Sequence, residues 1–306
     1  MNKDFSVYIN GSKSSGNYDG MNGSQTIYNE MVDKLEDLWQ SVKNPVYRGL
    51  EVVNVLNVKD GNGKLVPDDE IIYIIWNLPC MVTCPNATDA CKIACYAEAS
   101  EVQYPETTLK SRYLNLAACT GENSDTFVNN MIFTIEKLLK SDKYKSRKKI
   151  RVRIHESGDF FSKTYAMQWI KIARHFINNP NVVFMAYTKS FSFFDGVKLP
   201  KNLVLRASIW QDTKKEDLET IKRNHWPVYM AIPDSLEEYA IKKHFIKCDC
   251  KDCSKCEKHC YTKYNKKMYT LLHGVHAKRL ETNASRIKAI IDYLTSKNDA
   301  FTEIAA

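Results

Sequence analysis

Apolar positions change their spacing along the chain, and each change marks a new element. From Thr26, the residues Ile27, Met31, Leu35, Leu38 and Val42 recur at steps of three and four, which predicts a helix closed by Pro45. Glu51–Val58 alternates as a strand does. Lys59-Asp60-Gly61-Asn62-Gly63 is turn chemistry leading to Lys64–Val66, so 45–68 reads as a hairpin or an edge strand. Ile71–Trp76 is a continuous apolar run, as expected of a strand covered on both faces. Helical spacing returns over 107–120 and 125–140, with Phe127, Met131, Ile135, Leu138 and Leu139 on one side of the second helix.

A repeating alternation follows. Strands are expected at Ile150–His155, Val182–Tyr187, Leu203–Ile209 and Pro227–Ile232, with helices at Lys163–Ile177 and Lys214–Asn224. Strands alternating with helices argue for a parallel α/β fold. The expected architecture is a partial parallel (β/α) barrel of about six units, with a flat doubly wound sheet as the alternative. The chain then divides into a tail over 1–25, a helix and hairpin over 26–68, and an α/β core over 69–240. A cysteine-rich segment with two closing helices, near 265–280 and 284–297, fills 241–306.

Composition narrows the classes. The longest apolar runs fall far short of the ~20 residues that a membrane span needs, so no membrane partner is expected. Met1–Gln25 is rich in Gly, Ser and Asn and has no apolar export segment, which points to a reducing cytoplasm. The formal net charge of +8 favours a polyanionic partner. Two stretches mix cations with aromatics or cluster cations alone: Lys140–Arg153 and Tyr261–Arg279. They suit phosphate contact and base stacking on a nucleic acid, or simple solvated surface.

Nine of the ten cysteines lie in two places, which indicates metal chemistry rather than packing. Cys250, Cys253, Cys256 and Cys260 read C-x2-C-x2-C-x3-C, a spacing used to grip iron–sulfur clusters; structural zinc is the alternative. Cys248 lies close enough to replace Cys250. The earlier group is Cys80, Cys84, Cys91 and Cys95. Cys91 and Cys95 share one face of a helical turn, Cys84 is the natural third ligand, and Cys80 is a fourth ligand or a bystander. Three cysteines on a cluster leave one iron open to a small molecule. Cys119 stands alone and is expected to be a small buried hydrophobe.

Polar residues collect at the expected carboxyl ends of the strands, where chemistry gathers in parallel α/β folds: His155, Glu156, Ser157, Gly158, Asp159, Tyr187, Lys189 and Ser208. The plain alternative makes His155 a core residue and Asp159 a helix cap.

Three segments carry a resemblance: Thr83-Cys84-Pro85 with Cys91 and Cys95-Tyr96-Ala97, Arg153–Phe160, and the late cysteine run. Over about residues 70–262 the chain resembles a family of phage and mobile-element proteins with a radical-SAM-like barrel, relatives of the radical S-adenosylmethionine superfamily. The resemblance implies a 4Fe–4S cluster on Cys84, Cys91 and Cys95 that binds S-adenosylmethionine, with Ser157, Gly158 and Asp159 holding its amino group and Ser208 lining the same site. The cysteine spacing and the strand-end polar residues add expected substrate contacts from His155, Tyr187 and Lys189, a second cluster on the late run, and an electron donor such as flavodoxin or ferredoxin. One departure stands out: the superfamily spacing is C-x3-C-x2-C, and position 98 is Glu98. The expected function is an iron–sulfur enzyme acting on a nucleic acid or nucleotide. The rivals are a nucleic-acid-binding protein stapled by zinc or a cluster, and a cluster enzyme that does not use S-adenosylmethionine.

Overall fold

The computed structural model describes residues 45–48, 51–68, 70–141, 149–249, 256, 260–263, 266–273 and 280–296. The expected tail over 1–25, the helix over 26–44, Cys250 and Cys253 lie outside the described residues.

Strands β1 (Pro45–Arg48) and β2 (Glu51–Asn54) pair antiparallel as a separate hairpin. Strands β3 (Lys59–Asp60), β4 (Ile71–Trp76), β5 (Lys149–Ile154), β6 (Val182–Thr188), β7 (Leu203–Ile209), β8 (Val228–Ile232), β9 (Ile246–Lys247) and β10 (Lys267–Leu271) form one 8-stranded sheet. Its order is β3-β4-β5-β6-β7-β8-β10-β9. Only β3, against β4, runs antiparallel; the other neighbours are parallel. The sheet is open, with β3 and β9 as its edges. From β4 to β8 the spatial order follows the chain order, with none of the reversal that defines a doubly wound sheet.

Strand connections carry α1 (Asp89–Ile93), α2 (Tyr96–Gln103), α3 (Lys110–Ala117) and α4 (Ser124–Lys140) between β4 and β5. Then come α5 (Lys163–His175) before β6, α6 (Lys215–Arg223) before β8, α7 (Glu237–Lys242) before β9, and α8 (Ala284–Leu294) after β10. Parallel crossovers share one hand, so strands laid down in order place their helices on one face. The core bears this out. Ile72, Ile74, Trp76, Val152, Ile154, Phe184, Leu205, Ala207 and Met230 pack with Phe127, Met131 and Ile135 of α4, Trp169 of α5, Ile221 of α6 and Ile291 of α8.

Side chains alternate along a strand, so the residues between those core positions form the opposite face. That face carries Arg151, Arg153, Tyr187, Arg206, Ser208 and Tyr229. Buried Tyr73, Ile75, Met185 and Val204 share that face, so its charges are set among apolar side chains.

One expectation is corrected. The helix placed near 265–280 gives way to β10, which lies between β8 and β9 in parallel register, Met268 opposite Tyr229 and Ile246. Met268-Tyr269-Thr270 suits a pleated, half-buried surface, and pairing on both sides outweighs the local helical spacing. Among the described residues no helix is long and apolar enough to cross a membrane.

Candidate functional site

The carboxyl end of β4 leads directly into the first cysteine loop, and the carboxyl end of β5 holds that loop in place. Leu78 N–H donates to the Ser157 carbonyl at 3.0 Å, and Asp159 N–H to the Thr83 carbonyl at 3.2 Å. Asn77 Oδ1 accepts from the N–H groups of Glu156 (2.7 Å) and Ser157 (3.1 Å). Gly158 sits at φ +83°, where a Cβ would meet Thr83 Oγ1 at 2.5 Å and Leu78 Cβ at 2.7 Å. Glycine is required because the two loops touch there.

A buried carboxylate lies beneath the loop. Glu101 pairs with Arg112 at 2.7 Å, both side chains being almost fully buried. It accepts from Cys80 N–H at 2.8 Å, stands 3.1 Å from Cys80 Sγ, and receives Ser157 Oγ at 3.4 Å. Burial pushes the Glu101 carboxyl upward, against the guanidinium that holds it down. The thiols divide by surroundings. Contact with Cys95, then burial and Glu101, push Cys80 well above the ordinary thiol range. Burial, then Asp159 and the neighbouring cysteines, do the same to Cys84. Burial also raises Cys91, although Lys189 opposes it. Cys95 stands at the N-terminus of α2 and is lowered, first by the Cys80 thiol and further by the N–H groups of Glu98 and Ala97. Cys84, Cys91 and Cys95 thus lie within electrostatic reach of one another, with Lys189 and Asp159 beside them. The α1 turn carrying Cys91 is braced by Thr88 Oγ1 on Cys91 N–H (3.3 Å) and by Asp212 Oδ2 on Ala90 N–H (2.8 Å).

Asp159 is buried and joins the ends of β5 and β6. It accepts from Thr188 Oγ1 (2.6 Å), Lys189 N–H (2.8 Å) and Phe160 N–H (2.7 Å). The cap of α5 is Ser162, which accepts from Tyr165 N–H, so Asp159 is no helix cap. Burial raises its carboxyl, against those three donors. Ser157, Gly158 and Asp159 are all occupied in joining the cysteine loop to the sheet. His155 adopts φ +64° and points into the core, its Nε2 3.0 Å from Tyr165 Oη and its ring edge-on to Phe160. Burial and then Arg153 lower it to about 3, so the imidazole is neutral.

Of the remaining expected site residues, Lys189 Nζ donates to Ser208 Oγ at 2.8 Å and lies 5.7 Å from the centre of the Trp210 ring. Tyr187 Oη donates to Cys260 Sγ at 3.2 Å. Cys260 is held well below the ordinary thiol range, first by Cys248 and further by Tyr187, Arg206 and Arg153, against burial. Fully buried Arg206 donates to the carbonyls of Cys260 (3.0 Å) and Thr262 (2.9 Å), which fastens the late cysteine segment over the polar face. Cys256 is buried nearby in sequence, and Cys119 lies in the helix-covered core.

Glu101, Arg112 and Arg206 were missed by reading the sequence. Glu101 sits six residues after Cys95 within an ordinary helical segment, and the one signal for Arg206 is a charge inside an apolar run. Among the described residues, no three His, Cys, Asp or Glu side chains stand close enough to hold a single metal ion.

A family profile described as Gene product 88 matches residues 55–242, more than half of the chain. The Gene 88 protein of Mycobacterium phage L5 is 33% identical over 109 residues, covering 35% of this chain and 43% of that protein. The chain thus matches under half the length of that relative. No solved structure matches.

Proposed function

This chain belongs to the Gene product 88 family, and we propose that it is an iron–sulfur enzyme of radical-SAM-like architecture acting on a nucleic acid or nucleotide. The observation that carries this reading is the gathering of Cys84, Cys91 and Cys95 at the carboxyl end of β4, beside Lys189 and at the rim of a polar sheet face. The donor set fits a cluster. All three ligands are thiols, and burial disfavours their charged forms until positive metal compensates. In a 4Fe–4S cube each thiolate binds its own iron, so the sulfurs stand farther apart than around one zinc ion. Helices on one face and strands laid down in order also agree with a half-barrel.

Bound there, such a cluster would supply one-electron reduction at an open iron, fed by a donor of the flavodoxin or ferredoxin kind. The chain's own residues do the rest. Glu101 and Arg112 fix the loop from below, and Asp159 ties it to β6. Lys189 bridges Cys91 and Ser208 with a cation. Cys253, Cys256 and Cys260, joined by Cys250 or by Cys248 in its place, would hold a second cluster over the polar face.

A second reading drops S-adenosylmethionine. Glu98 stands where the superfamily has its third cysteine, and Asp159 already accepts three hydrogen bonds. The cluster would then bind substrate directly. Iron and acid-labile sulfide in oxygen-free protein, with electron paramagnetic resonance after reduction, test the common premise. Cys91→Ala is expected to remove the first cluster's signal; protein without iron or sulfide sinks both readings. Release of 5′-deoxyadenosine from S-adenosylmethionine selects the first reading, and its absence selects the second.

A further inference from the structure

Arg153 occupies the polar face of β5, its guanidinium 4.3 Å from the centre of the Tyr187 ring. Its Nε donates to the His155 carbonyl at 3.0 Å; among the described residues its two terminal nitrogens have no acceptor and no carboxylate pairs with it. The hydroxyl of Tyr261 is buried and has no partner among the described residues, while its ring lies 6.2 Å from that of Tyr73. The two groups feel each other: the Arg153 charge acts on Tyr187, Tyr96, Tyr261 and Cys260. Tyr96 follows Cys95, and Tyr261 follows Cys260, so the guanidinium stands between the two cysteine groups.

A half-buried guanidinium without a counter-charge and a buried hydroxyl without an acceptor both give up hydration on folding that no protein group returns. A tetrahedral oxyanion would satisfy both at once, accepting two parallel bonds from the planar fork and one from the phenol. The tyrosine rings around it offer flat faces to a base. Arg153 also ends one of the two basic stretches and Tyr261 begins the other, so segments over a hundred residues apart in sequence supply one site.

We propose that Arg153 and Tyr261 hold a phosphate of a nucleotide substrate on the polar sheet face, between the two cysteine groups. The proposal names the substrate class for the enzyme reading and rests on it. Titration calorimetry on the full chain tests it, using the four deoxynucleoside monophosphates, their nucleosides, inorganic phosphate and acetate. At least one nucleotide is expected to bind about tenfold or more tightly than its nucleoside, with phosphate competing and acetate not. Arg153→Lys keeps the charge and loses the fork, so it should weaken the nucleotide about tenfold; Tyr261→Phe keeps the ring and should weaken it severalfold. Thermal unfolding by circular dichroism confirms that both variants fold. Equal affinity for nucleotide and nucleoside, wild-type binding in both variants, or no binding of any nucleotide overturns the proposal. Acetate competing as well as phosphate overturns it too, by making the ligand a carboxylate. Iron and sulfide measured on the same samples separate the two failures: clusters without phosphate binding sink this proposal alone, and phosphate binding without clusters sinks the iron–sulfur reading alone.

Discussion

The two faces of the sheet differ in that one is apolar and the other mixes apolar side chains with charge. Under the helices, β4 to β8 present Ile, Val, Leu, Ala, Met, Phe and Trp to a continuous apolar core. On the other face the same strands set Arg151, Arg153, Tyr187, Arg206, Ser208 and Tyr229 among buried Tyr73, Ile75, Met185 and Val204, with Cys260 and Tyr261 lying across them. A sheet needs one apolar face to fold; charge on the second face weakens it and is explained by what that face does. The contrast reaches single residue types. Arg112 is buried beside the first cysteine group and has a carboxylate, while half-buried Arg153 has none among the described residues.

The largest effect is expected on the helix-covered face. Phe127 is fully buried and packs against Trp76, Tyr165 and Trp169 with ring centres 5.6, 5.6 and 5.7 Å away. Phe127→Ala should cost about 3–5 kcal/mol in urea unfolding through the cavity it leaves. A smaller loss would mean the aromatic cluster collapses onto the gap. Arg112→Ala comes next. It leaves Glu101 charged, buried and unpaired under the cysteine loop, at a cost of about 3 kcal/mol or more. The loss should shrink as pH falls and Glu101 takes up a proton; an unchanged loss would place the cost in packing of the arginine stem.

These two residues show what could be read from the chain and what could not. Phe127 was legible, because its neighbours Met131 and Ile135 repeat at helical spacing. The strands β4 to β8 were legible too, since each is a short apolar or alternating run between polar loops. Arg112 and Glu101 were not, for their pairing links two helices across the π-helical turn Pro105–Leu109, whose path no α-helical periodicity records. β10 was misread, because its strand character comes from the two neighbours that pair with it. The cysteines marked the site by spacing, yet the role of Gly158 was read as ligand approach when contact with Thr83 and Leu78 explains it. His155 was legible only as one of two alternatives, and the ring turned inward.

That inward turn gives a pH test at the boundary between the faces. An unfolded histidine takes its proton near ~6.5, while His155 in the fold resists until about 3. Stability from this group is therefore complete above the unfolded value and falls away as pH drops from there toward the folded value. The slope is about 1.4 kcal/mol per pH unit. Asn tolerates the positive φ and cannot titrate, so His155→Asn should flatten unfolding stability between pH 6 and 4 relative to wild type. Parallel pH profiles would mean that carboxylates alone set the acid limb.

The smallest change in stability is expected where function is proposed. Arg153 is half-buried, and among the described residues it has no counter-charge and one hydrogen bond, to a backbone carbonyl. Replacing such a group with an apolar chain of similar reach removes a desolvation cost and keeps the packing on Tyr187. Arg153→Met should therefore unfold within about 1 kcal/mol of wild type, on the stable side if it moves at all. Set beside Arg112→Ala, it compares a buried guanidinium that has a carboxylate partner with a half-buried one that has none among the described residues. A loss as large as that of Arg112 would mean that Arg153 stabilises the fold through a contact of its own, and the polar face would lose its claim to be kept for a ligand.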